Sequence, residues 1–150
     1  MRFIKVLQSR KGKPIDLKAL KALDSKITAV CKKFKLDLFY LFGSYGGGKA
    51  DHLSDLDLAY FSRRNIETLK LLAVLQDLFE EEAIDLVNLK TAPSTLTHRV
   101  LQGKCLYAKD LRTKIDFEMH AESEYFDTAY MRKVYFTEML RRLHHGTYGA

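Results

Sequence analysis

The sequence predicts an α+β fold, a small mixed sheet of three to four strands flanked by helices, with a helical segment after it. Three observations carry this reading. Residues 36–42 (LDLFYLF) and 83–89 (AIDLVNL) are apolar runs of strand length, and residues 55–61 (DLDLAYF) alternate as a half-buried strand does. Longer stretches between and after them repeat their apolar residues at helical intervals. The chain is 150 residues long, 47% hydrophobic and 29% charged, which suits one domain with a genuine core. That composition excludes a disordered chain.

The elements follow in order. Residues 16–35 place Leu17, Leu20, Ile27, Cys31 and Phe34 at roughly helical spacing with lysines between them, after Pro14 and with Asp16 as the expected cap. A buried strand over 36–42 stops at Gly43, and the next six positions, 43–48, hold four of the eight glycines. A second strand, 55–61, leads to a helix expected from an Asn65 cap to about residue 82, with Ile66, Leu69, Leu72 and Phe79 facing inward. The third strand is 83–89. A short helix after Pro93 and Ser94 ends near Gly103, and residues 104–107 form an edge strand. From about 110 to 145 the pattern reads as one helix, with Ile115, Met119, Phe126, Tyr130, Met139 and Leu143 available for packing. The expected organisation is a single domain over 1–150, its core at 16–108 and its helical segment at 110–145.

No apolar run approaches the ~20 residues of a membrane span, and charge interrupts the N-terminus too often for a secretion signal. Cys31 and Cys105 make no disulfide framework and read as reduced, so the expected location is cytoplasmic. The net charge of +6 suits an anionic ligand. Residues 10–35 concentrate it, with nine basic side chains against two acidic ones. Lysines on one side of an amphipathic helix are most simply a solvated face.

One constellation carries chemistry. Gly43-Ser44 ends a strand, ten residues follow, and Asp55-Leu56-Asp57 opens the next. Strand alternation puts Asp55 and Asp57 on one face and Leu56 and Leu58 on the other. Two like charges so close raise each other's pKa, and a divalent cation resolves the conflict. Mg²⁺ suits oxygen donors here, because it takes one or two carboxylates and completes its shell with water and substrate phosphate. Asp85 lies mid-strand, and if the third strand pairs beside the second it completes a three-carboxylate cluster. Glycine at 43 lets the backbone turn tightly, and Ser44 at the start of a short helix would face a phosphate. A phosphate cradle opposite metal-binding carboxylates implies phosphoryl or nucleotidyl transfer.

These residues also resemble a family. The stretch LFGSYGGGKADHLSDLDLAYF is similar to the Gly-Ser-x10-Asp-x-Asp signature of the DNA polymerase β-like nucleotidyltransferases, and more narrowly to the minimal nucleotidyltransferases, or MNT proteins. Gly48 and Ala50 match the usual Gly-x-Ala, Ser54 precedes Asp55 as in that group, and Gly46 stands where alanine is more usual. Asp85 and the run Gly103-Lys104-Cys105-Leu106-Tyr107 match further on. The resemblance implies that Asp55 and Asp57 hold two Mg²⁺ ions and that Asp85 joins the metal on the nucleophile side and helps deprotonate the attacking hydroxyl. Gly43 and Ser44 would hold the triphosphate of ATP. It further implies the antitoxin half of a HEPN–MNT toxin–antitoxin pair, transferring AMP from ATP to a tyrosine hydroxyl of the HEPN ribonuclease toxin.

Two other functions stay open at this point. One is a non-catalytic antitoxin that acts by complex formation, against which all three carboxylates stand. The other is a small-molecule or RNA nucleotidyltransferase with a separate substrate-binding subunit. Direct nucleic-acid binding has only the basic N-terminal helix in its favour. Lys49, Arg63 and Arg64 are expected near the site but read more simply as surface charge. His98 and His120 have no evident partner. Phe126, Tyr130, Tyr135 and Phe136 cannot share one helical stripe, so some must face outward as a partner surface.

Overall fold

The structure, a computed structural model, describes residues 17–46 and 55–146, and the side chains of 21–44 and 55–146 within them. Helix α1 (Leu17–Lys33) is followed by strand β1 (Leu38–Phe42), a single helical turn α2 (Gly43–Gly46) and strand β2 (Leu56–Phe61). Helix α3 (Thr68–Phe79), strand β3 (Ile84–Asn88), helix α4 (Ser94–Leu101) and strand β4 (Lys104–Ala108) complete the sheet region. Helices α5 (Leu111–Asp127) and α6 (Ala129–His144) follow. Pro14, Asp16 and the loop residues Gly48, Lys49, Ala50, His52 and Ser54 lie outside the described residues.

The sheet order is β3-β2-β1-β4, with β1 antiparallel to both neighbours and β2 parallel to β3, so the expected mixed sheet is present and β4 is at its edge. Strand β1 is buried at all five positions because helices cover both sheet faces. On one face Phe39, Leu41, Leu56, Leu58 and Tyr60 meet Ile27 and Cys31 of α1 and Leu71, Leu75 and Phe79 of α3. On the other, Leu38, Tyr40, Phe42 and Ala59 meet Val100 of α4, with Phe117 of α5 packed alongside. Each large apolar side chain buried in this way contributes about 1.5–3 kcal/mol. Two non-glycine residues accept a left-handed backbone to stop helices: Lys35 (φ 57°) after α1 and Glu80 (φ 51°) after α3. In each case a 6→1 hydrogen bond closes the end, from Leu36 N–H to the Cys31 carbonyl and from Glu81 N–H to the Gln76 carbonyl.

Three expectations are corrected. The inward stripe of α3 is Leu71, Leu75 and Phe79, while Leu69 is 82% exposed. The helix starts at Thr68, not after Asn65, whose side chain accepts from Lys90 instead of capping. Second, the long C-terminal helix is broken at Thr128. Its hydroxyl donates to the Glu124 and Tyr125 carbonyls, and the Arg132 guanidinium also binds the Tyr125 carbonyl, so side chains take over acceptors that a continuing helix would use. Third, Ile115, Met119, Phe126, Tyr130 and Leu143 do not pack inward but are exposed, and α6 buries none of its residues.

Candidate active site

Asp57 is the second residue of β2, and the strand register fixes its neighbours. It lies opposite Phe42, the last residue of β1, and opposite Asp85 of β3. Because β2 and β3 are parallel and in register, the two carboxylates leave the same face of the sheet side by side. Asp55 immediately precedes β2, where Leu56 N–H bonds the Ala83 carbonyl at the entry to β3. The three carboxylates thus gather at one end of the sheet, on the face covered by α4. As alternation requires, Leu56 and Leu58 are buried on the opposite face.

Burial divides the three unequally. Asp57 is half-buried, whereas Asp55 and Asp85 are exposed. The burial therefore falls on Asp57, because β3 is an edge strand and leaves the mid-strand Asp85 open to solvent. Burial pushes the Asp57 carboxyl above its ordinary value, and the negative charges of Asp85 and then Asp55 push it further. The Arg99 guanidinium on α4 pulls the other way. Nothing in the motif pointed to Arg99; its relevance comes from α4 lying over this end of the sheet.

The turn after β1 completes the arrangement. Gly43 has φ 67°, and a Cβ there would fall on Asp57 Oδ2 and within 2.9 Å of its Cγ. Glycine is therefore required twice, by the left-handed backbone and by the carboxylate occupying the space of a side chain. Ser44 follows in the first turn of α2, as the sequence led us to expect. Gly103 has a similar steric role, since a Cβ there would press on the Leu41 carbonyl and come within 2.9 Å of Phe42 Cα. It lets the α4–β4 turn close tightly on the strand end that presents Gly43.

Among the described residues, no three His, Cys, Asp or Glu side chains converge closely enough to hold a metal ion by themselves. Asp55, Asp57 and Asp85 form an open row of oxygen donors instead of a closed cage. Such a row, with its central member destabilised as an anion, suits a hard divalent cation that draws its other ligands from water and substrate.

Other candidates fall elsewhere. Arg63 and Arg64 follow β2 and lie at the far end of the sheet, because β2 carries the chain about 15 Å from Asp57 before they occur. His98 has partners that the sequence did not reveal: its Nδ1 is 2.9 Å from Glu122 Oε2, and its ring stacks on Tyr125 at 3.8 Å. Cys31 is buried and Cys105 half-buried, and both are free thiols. No described helix is long and apolar enough to cross a membrane.

Residues 25–112 match the family model described as Polymerase beta, Nucleotidyltransferase. The chain belongs to this family. Its matched region runs from α1 to the start of α5 and includes every residue of the candidate site. A relative from Shewanella oneidensis (strain MR-1), protein adenylyltransferase MntA, is 34% identical over 90 residues, which cover 58% of this chain and 62% of the relative. The match thus spans less than two thirds of that protein. A crystal structure of a toxin–antitoxin with AMP-PNP contains a chain similar to this one, with TM-score 0.66 and 27% identity over 78% of this chain and 98% of that one. A tri-AMPylated S. oneidensis HEPN toxin in complex with MNT antitoxin offers a likeness of fold (TM-score 0.65, 24% identity, 81% and 98% covered).

Proposed function

We propose that this polymerase β-type nucleotidyltransferase is a protein adenylyltransferase antitoxin. It transfers AMP from ATP to a tyrosine hydroxyl of a partner HEPN toxin and so neutralises it. The observation that carries the reading is the in-register pair Asp57 and Asp85 set against the Gly43–Ser44 turn, a carboxylate row facing a backbone cradle. The 34% identical adenylyltransferase supports the choice of reaction, and the toxin–antitoxin chain crystallised with AMP-PNP supports the choice of an adenine nucleotide and of a toxin as partner.

In this reading Gly43 and Ser44 hold the triphosphate through the backbone N–H groups and the hydroxyl at the start of α2. Asp55, Asp57 and Asp85 would hold Mg²⁺, as two ions, whose chemistry is to neutralise charge developing on the attacking and leaving oxygens. The acceptor hydroxyl oxygen forms a bond to the α-phosphorus, the bond from that phosphorus to the β-phosphate oxygen breaks, and pyrophosphate leaves. Asp85, exposed and beside Asp57, takes the hydroxyl proton. Arg99 offsets part of the negative charge around Asp57.

In this reading the acceptor hydroxyl is brought by the partner toxin. Helix α6 fits a role in receiving it. It buries nothing, and it exposes Tyr130, Met131, Val134, Tyr135, Phe136 and Leu140. An exposed apolar surface of that extent marks a protein contact.

The test is incubation of the protein with Mg²⁺, α-labelled ATP and a lysate of its own host, beside an Asp57→Asn variant. One labelled protein band, absent with the variant, is the expected result. Label in RNA or in a small molecule would assign a different acceptor. No label anywhere, with the partner bound and unmodified, would replace catalysis with neutralisation by complex formation.

A further inference from the structure

The end of the sheet remote from the carboxylates carries a second concave site. A cavity of about 520 Å³ is lined by Lys32, Lys35, Arg63, Arg64 and Lys109, together with Leu36, Asp37 and Tyr107. Five cations against one carboxylate leave it strongly positive. The strands explain its position: β1 begins here and ends at Phe42, next to Gly43, β2 begins at Leu56, next to Asp57, and ends here, and β4 ends here as well. About 15 Å of strand separates the cavity from Asp57.

The floor of this cavity is built, not incidental. Asp37 is 6% exposed, and it spends its charge on the frame. Its Oδ2 accepts from Arg63 N–H at 2.8 Å, its Oδ1 lies 3.8 Å from Lys109 Nζ, and its carbonyl accepts from Lys109 N–H at 2.8 Å. Ser62 is buried; its hydroxyl donates to the Lys35 carbonyl at 2.9 Å and accepts from Arg64 N–H at 3.1 Å. Lys90 Nζ donates to the Arg63 carbonyl at 3.2 Å. Three segments are thereby locked together: the left-handed exit of α1 at Lys35, the turn after β2, and the end of β4. The backbones of Lys35, Arg63, Arg64 and Lys109 are all held and their side chains remain exposed; the Lys109 ammonium lies beside the Asp37 carboxylate, whereas the frame uses Lys35, Arg63 and Arg64 through their backbone. Rigid backbone carrying convergent cations is the arrangement that binds phosphate, with arginine supplying paired donors. Tyr107 and Leu36 give one wall an aromatic and apolar character on which a base can rest.

We infer that this cavity is a second ligand site, distinct from the catalytic one, and that it takes a nucleotide phosphate, with the phosphates on Arg63, Arg64, Lys35 and Lys109 and the base against Tyr107. Its volume lies in the range of small-molecule sites and suits one nucleotide. That nucleotide is either free or the terminal unit of an RNA strand, since the same phosphate and base are presented in both. The inference does not depend on adenylyl transfer, because none of these residues belongs to the catalytic row.

The experiment is equilibrium binding of labelled ADP, and separately of a 5′-phosphorylated RNA ten-mer, to the full chain in EDTA. Variants are Arg63→Ala with Arg64→Ala, Tyr107→Leu, and Asp57→Asn. The arginine side chains are exposed and the frame uses only their backbone, so the double variant should fold; its thermal midpoint is measured alongside. The expected result is saturable binding that weakens at least tenfold in the double variant, weakens in Tyr107→Leu, and persists in Asp57→Asn. ADP binding as tightly as the ten-mer makes the ligand a free nucleotide. A tighter ten-mer, equally sensitive to the arginine variant, makes it a strand end. Absence of binding by both probes, or binding indifferent to Arg63 and Arg64, overturns the proposal.

Discussion

The carboxylate of Asp57 occupies the space that a side chain at position 43 would need. The final residue of β1 pairs with Asp57, so the chain leaving that strand must turn directly over the carboxylate, and it does so with φ 67° at Gly43. The turn at Gly43 and the carboxylate are therefore in contact as a consequence of strand register. A change on either side is felt by the other.

Gly43→Ala is expected to fail for two reasons. The left-handed backbone costs about 1–2 kcal/mol for a residue with a Cβ, and the added methyl displaces the Asp57 carboxylate. Adenylyl transfer should fall by about 100-fold or more, a loss typical of misplacing one electrostatic group. A lowered thermal midpoint should accompany it. Wild-type activity in Gly43→Ala would show that the turn and Asp57 are not mutually constrained.

Asp57 also predicts a dependence of stability on pH in EDTA. Its carboxyl is raised in the folded state by burial, by Asp85 and by Asp55, so folding favours the protonated form. The associated stability is fully present below the ordinary carboxylate value of 3.8 and is lost as pH rises through the higher folded value. In EDTA near neutral pH, Asp57→Asn should therefore melt higher than wild type, and added Mg²⁺ should narrow the difference by stabilising wild type alone. Transfer activity should be lost with Mg²⁺ present. A variant that melts lower in EDTA would contradict the charge conflict.

Tyr40, on the buried central strand, donates to Glu118 Oε1 of α5 at 2.8 Å. Burial, and next this hydrogen bond, push its phenol up. Tyr40→Phe keeps the ring and removes the only tie from the sheet's middle to that carboxylate among the described side-chain bonds. A loss of about 1–2 kcal/mol in a urea titration is expected, the net contribution usual for one intramolecular hydrogen bond of this kind. An unchanged midpoint would mean that water replaces the phenol without cost.

Met131 and Tyr135 lie one helical turn apart on α6 and are 69% and 67% exposed. Replacing both by serine should leave the melting temperature of the isolated protein nearly unchanged, because both are exposed and α6 buries none of its residues. Binding of the proposed HEPN partner should weaken by tenfold or more if α6 receives it, as truncation of exposed aromatic anchors at an interface does. Calorimetric titration against the purified partner decides this. Full affinity would move the partner surface elsewhere.

The pairing of Asp55 with Asp57 was legible from residue order alone, for a reason rooted in strand geometry. A spacing of two puts Asp55 and Asp57 on one face whatever the strand pairs with, and a glycine where a strand halts announces a backbone that other residues cannot follow. The sheet strands were readable for the same reason: a run such as LFYLF is apolar throughout because both its faces are covered.

What the tertiary structure decided is which face, which neighbour and which end. Parallel pairing of β2 with β3 put Asp85 beside Asp57, and the edge position of β3 left Asp85 in solvent while Asp57 took the burial. The inward stripe of α3 shifted away from Leu69 because a helix with apolar residues on several sides is oriented by the surface it meets, not by its own sequence. The same holds for Arg63 and Arg64, close to Asp57 along the chain and a strand's length away in space. Local spacing determines chemistry that needs neighbours two residues apart; contacts among Asp37, Arg63 and Lys109 depend on strand pairing across many residues, and only the folded sheet supplies them.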